Sequence, residues 1–349
     1  MRLDESIAEY INGRKSQGYA RNTLRVEQQA LDLLLVTVGN IQTRSLDSQH
    51  GERYIAAMTS KGLKPATVNL YRGAFRRFCG WATTRRHLPG TANPLGTTRN
   101  LRVSNPPRRR VSSRDFPRLL DAAEHPQSRI IVALGLYLFL RASEVIDLDV
   151  EHVKLGDSHI LVYQRKTGRY DEMPICTELD AELRRWLTWY ATDVAGKHGS
   201  IQPHWPLVPP RRPSQLWNDG SGKNGGKPWI PDFGQLNPMR RAAQIQSKAQ
   251  EALRGIGWTV TADDREGIHT LRRSGARALY EQLISVGEAA RDDAIGTVQA
   301  TLHHKTRALT EHYIGLEAEV EKRDSRLAGR PMFPVHQTNV VPMLERAAL

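Results

Sequence analysis

Apolar residues recur at helical spacing in two stretches near the beginning of the chain and predict two amphipathic helices there. The first stretch covers residues 23–38 and presents leucines on one face, and the second covers residues 67–81 and presents a largely aromatic face. Pro65 and Thr67, with Thr67 as N-cap, mark the beginning of the second helix. Residues 1–103 are therefore predicted to form a small helical domain.

The remainder of the chain combines helical apolar patterns with one short β-rich segment. Helical spacing of apolar residues occurs at 116–123, 130–140 and 235–253. Two β-rich runs, 160–163 and 173–175, bracket a Lys-Thr-Gly turn and predict an antiparallel hairpin. Residues 199–238 are rich in proline and glycine and are expected to form a long loop without a core of its own. The pattern predicts a mainly α protein with a small antiparallel β-sheet in its second domain.

A short basic segment separates these two regions. Pro106 and Pro107 favour an extended chain, and three arginines, Arg108, Arg109 and Arg110, follow them at a place suited to a DNA backbone. The length of 349 residues also favours two domains, because single cores seldom grow beyond about 250–300 residues. We therefore divide the chain into a first domain at 1–103, a linker at 104–111, a second domain at 112–330 and a tail at 331–349.

Composition excludes several classes of protein. Hydrophobic residues make up 39% of the chain and charged residues 25%, which is enough apolar material to build folded cores. The longest nearly unbroken apolar run, at 130–140, is far shorter than the roughly 20 residues of a membrane span, and the first residues do not form a secretory leader. A soluble cytoplasmic protein is expected. The two cysteines, Cys79 and Cys176, lie in separate segments, so we predict neither disulfides nor a cysteine metal site and place both as small core residues.

Most of the excess positive charge lies in the first third of the chain. Residues 1–110 hold 19 Lys and Arg against 7 Asp and Glu, which leaves 31 against 30 for the rest. A concentrated basic field attracts polyanions, chiefly nucleic acid, and a membrane surface is the weaker alternative because no basic helix has a bulky apolar face. Arg72, Arg76 and Arg77 fall among the polar positions of the second helix and are candidate phosphate contacts, although solvated surface arginines show the same pattern.

Two segments of the second domain carry cations at defined positions. Arg141 ends an apolar helix, and Glu144 follows one helical turn later, where it can orient the guanidinium. Lys166 lies in the hairpin turn, where a flexible ammonium can reach a leaving oxygen. A surface ion pair and a solubilising lysine are the ordinary alternatives.

Two further segments complete a set of residues suited to phosphoryl transfer. His269 and Arg272 are three residues apart and share one helical face. His304 follows another histidine, His303, and precedes Tyr313 by nine residues. The histidines lack the usual spacing of zinc ligands and no carboxylate or cysteine completes a set, so no metal is expected. Taken alone, the tyrosine is equally explained as a packing residue.

The order and spacing of these residues resemble the active-site series of the tyrosine recombinases, the integrase family. The resemblance is carried by Arg141 within Leu-Arg-Ala-Ser-Glu, the hairpin Lys166, His269-x-x-Arg272, His304 and Tyr313. Residues 64–69 and 93–95 are also similar to the core-binding domain of that family. The chain departs from the family pattern at His303, where the family usually has glycine, and after Arg272, where Arg273 and Ser274 replace the common His-Thr. His303 is therefore a second candidate for the role of His304.

The resemblance implies a two-domain DNA clamp with a SAM-like helical N-terminal domain and a tyrosine-recombinase catalytic domain. Arg141 and Arg272 would hold the scissile phosphate, and Tyr313 would attack it to give a 3′-phosphotyrosyl enzyme. Lys166 would protonate the leaving 5′-oxygen. Because arginines supply the positive charge, neither a metal nor another cofactor is implied.

The resemblance also implies roles for the two histidines and the partners of the protein. His269 would act as general acid or base, and His304 would hydrogen-bond the phosphate. The implied partner is double-stranded DNA with inverted core sites, bound by a homotetramer on paired sites, with the tail at 331–349 docked on a neighbouring protomer. The chain resembles a simple form without an arm-binding domain, either an integrase of a phage or mobile element or a chromosome-dimer resolving enzyme. The long stretch at 199–238 and the divergent motifs favour integration or excision of a phage or mobile element. Chromosome-dimer resolution of the Xer type, a type IB topoisomerase and a non-catalytic DNA-binding protein are the alternatives.

Overall fold

The computed structural model of the protein describes residues 1–104, 108–165, 167–210, 236, 238, 241, 244–261, 266–285, 287 and 291–316. Lys166, the tail at 331–349 and most of the stretch at 199–238 lie outside the described residues. The chain divides into two compact units, Met1–Pro106 and Pro107–Leu349. In the described part of the chain, no helix is both long enough and apolar enough to cross a lipid bilayer.

Helices build the first unit. They are α1 (Leu3–Ser16), α2 (Arg21–Val38), α3 (Ser48–Ser60) and α4 (Pro65–Thr84), with a 3-10 turn at Thr43–Ser45. Their apolar faces meet in a core that includes Leu31, Tyr54 and Phe75, none of which has exposed surface. The aromatic face predicted for α4 therefore faces this core.

The beginning of α4 differs from the prediction. Pro65 is the first residue of the helix and Lys64 is its N-cap, so Thr67 lies inside the first turn and is not the cap. Proline suits the first helical position because its fixed φ is already helical and its missing N–H has no helical partner to lose. The N-cap of the helix consequently lies three residues before the predicted one.

Helices also dominate the second unit. They are α5 (Phe116–Asp121), α6 (Pro126–Tyr137), α7 (Ala142–Asp147), α8 (Thr177–His198), α9 (Ile245–Gly255), α10 (Ile268–Ser285), α11 (Arg291–Leu302) and α12 (Arg307–Ile314), with 3-10 turns at Ser113–Asp115 and Val150–His152. Helix α6 is buried along most of its length and packs against α5, α8, α9 and α10. The helix predicted at 235–253 begins only at Ile245, where buried apolar residues resume a helical period.

Two glycines allow α6 and α10 to pack closely. A Cβ on Gly275 of α10 would lie 1.8 Å from the carbonyl oxygen of Leu136, and a Cβ on Gly135 of α6 would lie 2.7 Å from Ile268 Cδ1. A Cβ would collide with the facing helix at both positions, most severely at Gly275, where the obstacle is backbone. The contact fixes the beginning of α10 beside the end of α6, where the candidate chemistry lies.

A three-stranded antiparallel sheet in the order β1-β2-β3 lies between α7 and α8 along the chain. The predicted hairpin is formed by β2 (His159–Gln164) and β3 (Arg169–Pro174), which pair from His159 with Pro174 to Gln164 with Arg169. The sequence pattern missed β1 (Val153–Lys154), because two residues are too few to show an alternating period.

Of the stretch 199–238, predicted as a loop without a core of its own, the structure describes residues 199–210 continuously, and these form no helix. Trp205, Leu207 and Val208 are buried in the main core of the second unit, where the Leu207 carbonyl accepts from Trp186 of α8. The predicted placement of the cysteines is wrong. Cys79 is only partly buried against the core of the first unit, and Cys176 is exposed, because it stands at the N-cap of α8 where the chain reaches the surface.

Candidate active site

The turn after α6 places Arg141 at the edge of the core. Phe139 has a φ of 53° in this turn, a left-handed conformation that is uncommon for non-glycine residues and is enriched near active sites. Arg141 is the N-cap of α7, and Glu144 lies one turn later in that helix with only 5% of its surface exposed. The Glu144 carboxylate accepts from the Arg141 backbone N–H at 2.7 Å and from its Nη1 at 2.6 Å. It therefore fixes both the backbone and the guanidinium of Arg141.

Arg272 is buried in α10, and its guanidinium meets that of Arg141. Its Nη2 donates to the Leu302 carbonyl at 2.8 Å and its Nη1 donates to the Phe139 carbonyl. Arg141 Nη2 approaches the same Leu302 oxygen at 3.5 Å, and Arg272 Nη1 lies 3.6 Å from Glu144 Oε2. Desolvation, and then the charge of Arg141, lower the pKa of Arg272 to about 10, so it stays protonated at neutral pH. One carbonyl and one carboxylate thus bring two guanidiniums together.

The Tyr313 hydroxyl lies beside this pair. It makes a long hydrogen bond of 3.4 Å to the carbonyl oxygen of His269, and the charges of Arg272 and Arg141 act on it. Burial raises the pKa of Tyr313, whereas the charges of Arg272 and Arg273 oppose that rise. The His269 ring is exposed, yet desolvation and then the charges of Arg272 and Arg141 lower its pKa. His269 is consequently neutral at pH 7.

His304 lies next to Tyr313 in the site. The rings of His304 and Tyr313 lie 5.1 Å apart and nearly perpendicular to each other. His304 Nδ1 is 3.2 Å from Oγ1 of Thr310, a fully buried residue of α12, so Nε2 is the nitrogen left for a ligand. Desolvation, and then the charges of Arg272 and Arg141, lower the pKa of His304 to about 4. This imidazole is therefore neutral at physiological pH.

His303 is directed toward the sheet. Its φ of 53° lies in the left-handed region that glycine adopts most readily, which explains why the family pattern has glycine at this position. His303 Nε2 lies 3.0 Å from Oδ2 of Asp171 on β3. Since His303 pairs with the sheet and His304 contacts Tyr313, the geometry favours His304 for the catalytic role.

Lys166 lies outside the described residues. The residues around it in sequence are well anchored. Arg165 makes a bidentate ion pair with Asp147, at 2.5 and 2.7 Å, and the Gly168 N–H donates to the Gln164 carbonyl at 2.8 Å. The assignment of Lys166 stays a prediction.

Sequence reasoning missed the buried polar groups that support the site. Arg273 is buried behind Arg272 and donates from Nη2 to Glu266 at 2.9 Å, while Glu266 also accepts from the hydroxyl of Thr270. Thr310, which holds His304, was missed as well. Only Arg273 carried a signal in the sequence, because it stands where the chain departs from the family pattern.

The arginines proposed as phosphate contacts in the first unit have different environments. Arg72 is 5% exposed and donates to the segment 95–100, including the Thr98 carbonyl at 2.6 Å and Asn100 Oδ1 at 3.1 Å. Its guanidinium therefore holds that segment, and we no longer expect it to contact phosphate. Arg77 pairs with the fully buried Glu27 at 2.8 Å while remaining half exposed, and Arg76 is exposed. Arg76 and Arg77 stay candidates.

The three arginines of the predicted linker belong to the second unit. The Arg109 guanidinium lies 4.0 Å from the ring centroid of Trp258, and its Nη1 donates to the Thr259 carbonyl at 3.1 Å. Val111 is buried in the main core. The charge of Arg108 acts on both His269 and Tyr313, whose pKa values it lowers. The basic segment thus lies within electrostatic range of the site.

Among the described residues, Asp149, Glu151 and His152 form a group with the composition of a metal site, their ligand atoms lying within 4.8 Å of one another. Arg241 pairs with Asp149 at 2.9 Å, and His152 Nδ1 accepts from the Asp149 N–H at 2.9 Å. These contacts engage Asp149 and His152, and we assign no metal to the group.

Several solved structures share this fold. A dimer of lambda integrase bound to a COC′ core site matches with a TM-score of 0.62 and 16% identity, over 90% of this chain and 95% of that one. The Tn1549 transposon integrase in complex with transposon right end DNA matches with a TM-score of 0.59 and 15% identity, over 94% and 100%. XerH recombinase bound to a palindromic difH substrate matches with a TM-score of 0.59 and 14% identity, over 91% and 83%. At these identities the similarity concerns the fold, and it confirms a mainly α protein with a small antiparallel sheet.

The sequence itself identifies the family. Residues 109–319 match the phage integrase family, which is more than half of the chain. The chain belongs to the phage integrase family, and the protein is a tyrosine-type site-specific recombinase. No curated protein sequence gives a significant match. The resemblance seen in the motifs is confirmed, whereas the roles of individual residues stay predictions.

Proposed function

We propose that this recombinase cuts and rejoins DNA through a covalent bond between Tyr313 and the 3′-phosphate of the cut strand. The observation that carries the proposal is the convergence of the Arg141 and Arg272 guanidiniums on the Leu302 carbonyl, beside the Tyr313 hydroxyl. Two fixed guanidiniums suit a scissile phosphodiester, because its two non-bridging oxygens gain negative charge in the transition state.

The proposed reaction is a transesterification. The Tyr313 oxygen bonds to phosphorus while the bond from phosphorus to the 5′-oxygen breaks. His269 accepts the phenolic proton, which its lowered pKa allows because the ring is neutral at pH 7. Lys166 supplies the proton to the leaving 5′-oxygen. One phosphate ester replaces another, so the reaction needs no ATP, and attack by the 5′-hydroxyl of a partner duplex completes strand exchange.

His304 contributes a neutral hydrogen bond in this mechanism. In the proposed tautomer the Thr310 hydroxyl donates to Nδ1, so the single proton of the neutral ring is on Nε2, which donates to a non-bridging oxygen of the phosphate. A pKa of about 4 keeps the ring uncharged, so it stabilises the phosphate without competing with the general acid for protons. The packing of the ring against Tyr313 also restricts the nucleophile.

The proposed substrate is double-stranded DNA with inverted core sites, bound by a homotetramer on paired sites. Support comes from the positive charge of residues 1–110 and from structures of the same fold, which include a lambda integrase tetramer bound to a Holliday junction. Integration or excision of a phage or mobile element is the role we favour over chromosome-dimer resolution. The divergent Arg273-Ser274 pair and the long stretch at 199–238 support this choice.

Two experiments test the proposal. Tyr313→Phe is expected to bind a core site normally and to form no covalent DNA adduct, so an undiminished adduct would show that the nucleophile lies elsewhere. A substrate pair with two sites separates recombination from topoisomerase activity, because only a recombinase yields joined products from different duplexes. A protein that relaxes supercoils without yielding such products would instead be a type IB topoisomerase.

A further inference from the structure

A short segment next to the unit boundary is fastened to the helix that carries Arg272. We call the segment from Arg109 to Val111 the strap. The Arg109 carbonyl accepts from Arg273 Nη2 at 3.1 Å, and the Val111 N–H donates to Ser274 Oγ at 2.9 Å. Arg273 and Ser274 are both buried and directly follow Arg272 in α10. The strap is therefore fixed at both ends relative to the candidate arginine.

The central residue of the strap reaches the helix that carries Tyr313. Gly315 is the C-cap of α12, with a φ of 75°. A Cβ on Gly315 would lie 1.8 Å from Nη1 and 2.4 Å from Cζ of Arg110, so the guanidinium fills the space where another residue would have its side chain. A cation is favoured at this place because the last carbonyls of a helix carry partial negative charge.

The end of α12 that Arg110 contacts is also the end that carries the proposed nucleophile. The helix spans only Arg307–Ile314, and Tyr313 is its penultimate residue. Ile314 and Leu316 are buried in the adjoining apolar cluster, so this end has a second support besides the strap. Loss of Arg110 alone should therefore shift the end of α12 without unfolding the unit.

We propose that Arg110 is a positioning residue, which holds α12 so that the Tyr313 hydroxyl stays aligned with the Arg141 and Arg272 guanidiniums. The inference rests on the proposed role of Tyr313. A displacement of about 1 Å at a reacting atom can lower a rate about a hundredfold. Arg110 does not touch the reacting atoms in this account, and it acts through the placement of the helix.

The main rival is direct phosphate binding by Arg110, which the sequence alone suggests. The two roles differ in measurable ways. A lost phosphate contact weakens DNA binding and reduces its salt slope by about one, whereas a lost positioning contact lowers the cleavage rate of DNA that is already bound. Arg110→Lys separates them further, because lysine keeps the charge but lacks the planar group that packs over Gly315.

The first experiment compares Arg110→Ala, Arg110→Lys and a charge-matched control, Arg114→Ala, on a nicked core-site duplex that traps the covalent complex. Arg114 is exposed in the 3-10 turn after the strap. At saturating DNA, both Arg110 variants are expected to form the adduct about 10 to 100 times more slowly, with affinity within about threefold of wild type. Unchanged adduct rates with weaker, less salt-dependent binding would overturn the proposal.

The second experiment is a double-mutant cycle with Gly315→Ala. In the wild-type background the new methyl group collides with Arg110 and the positive φ is also strained. In the Arg110→Ala background only the strain of φ remains. The factor by which Gly315→Ala slows adduct formation should therefore be at least about fivefold smaller in that background than in the wild type. Equal costs in the two backgrounds would contradict the contact. Thermal unfolding of each variant identifies any loss caused by misfolding.

Tyr313→Phe distinguishes failure of this inference from failure of the proposed function. If that variant still forms the adduct, Tyr313 is not the nucleophile and both proposals fail. If it forms no adduct while Arg110→Ala and Arg110→Lys cleave at the wild-type rate, the proposed function stands and only the positioning role of Arg110 is refuted.

Discussion

Replacement of Glu144 by glutamine tests how the two guanidiniums are held together. The buried Glu144 carboxylate accepts two hydrogen bonds from Arg141 and lies 3.6 Å from Arg272. Glutamine has nearly the same shape, but only one of its two terminal atoms accepts hydrogen bonds. The NH2 group therefore faces an arginine donor, and the pair of guanidiniums loses its only shared negative charge among the described contacts.

The structure sets the size of the expected effect. A charge pair at 3.6 Å in a medium of effective dielectric constant 20 interacts by about 4–5 kcal/mol, part of which desolvation offsets. Each charge-assisted hydrogen bond contributes about 1.5–3 kcal/mol. We therefore expect Glu144→Gln to lower the free energy of unfolding by about 3 kcal/mol, which a domain of ordinary stability tolerates. The same energy lost from the transition state corresponds to roughly a hundredfold slower cleavage.

Urea unfolding and single-turnover adduct formation measure the two effects separately. The matched control is Glu251→Gln, because Glu251 pairs with Lys248 three residues earlier at 2.9 Å but is half exposed. That control should change the unfolding free energy by less than about 1 kcal/mol and leave cleavage unaffected. If Glu144→Gln were as stable and as active as the control, the carboxylate would not organise the arginine pair and our reading of the site would be wrong.

Three further predictions concern other parts of the site. Desolvation lowers the pKa of His304 from 6.5, the ordinary value that applies to the unfolded chain, to about 4 in the folded protein. Between pH 4 and pH 6.5 the unfolded chain therefore binds more protons, and the free energy of unfolding should fall as the pH drops through this range. His304→Asn should reduce that dependence in urea titrations across this range, and an unchanged slope would contradict the buried, neutral ring. His303→Gly should be about 1 kcal/mol more stable than His303→Ala, because both lose the Asp171 pair but only glycine relieves the φ of 53°; equal stabilities would argue against this backbone conformation. For Lys166→Ala, sulfur in place of the bridging 5′-oxygen should restore cleavage, because a thiolate leaves without protonation; failure to restore it would remove Lys166 from the acid role.

The side chains of the site were predictable from sequence because their chemistry requires particular residue types in a particular order. Arg141, Arg272 and Tyr313 stood out for that reason, and their segments meet in the fold. The point at which the guanidiniums meet was not predictable. It is the backbone carbonyl of Leu302. Every residue has a backbone carbonyl, so the residue type does not indicate which one will accept these hydrogen bonds.

Contacts formed by distant segments account for most of the other differences. Helical periodicity placed Arg72 on a polar face, but residues 95–100 fold over that face and bury it. The approach of Arg110 to Gly315 joins residues about 200 positions apart, and no local pattern encodes it. Periodicity identifies which face of an element is apolar, whereas tertiary packing decides which polar residues stay exposed.

The central claim is that Tyr313 forms the covalent bond to DNA, and peptide mapping of the trapped adduct tests it most directly. Trypsin releases the segment from Ala308 to Lys322, in which Tyr313 is the single tyrosine. The account predicts that mass spectrometry finds the residual nucleotide on this peptide, attached to Tyr313 through a 3′-phosphate. A nucleotide on any other residue, or one attached through a 5′-phosphate, would contradict it.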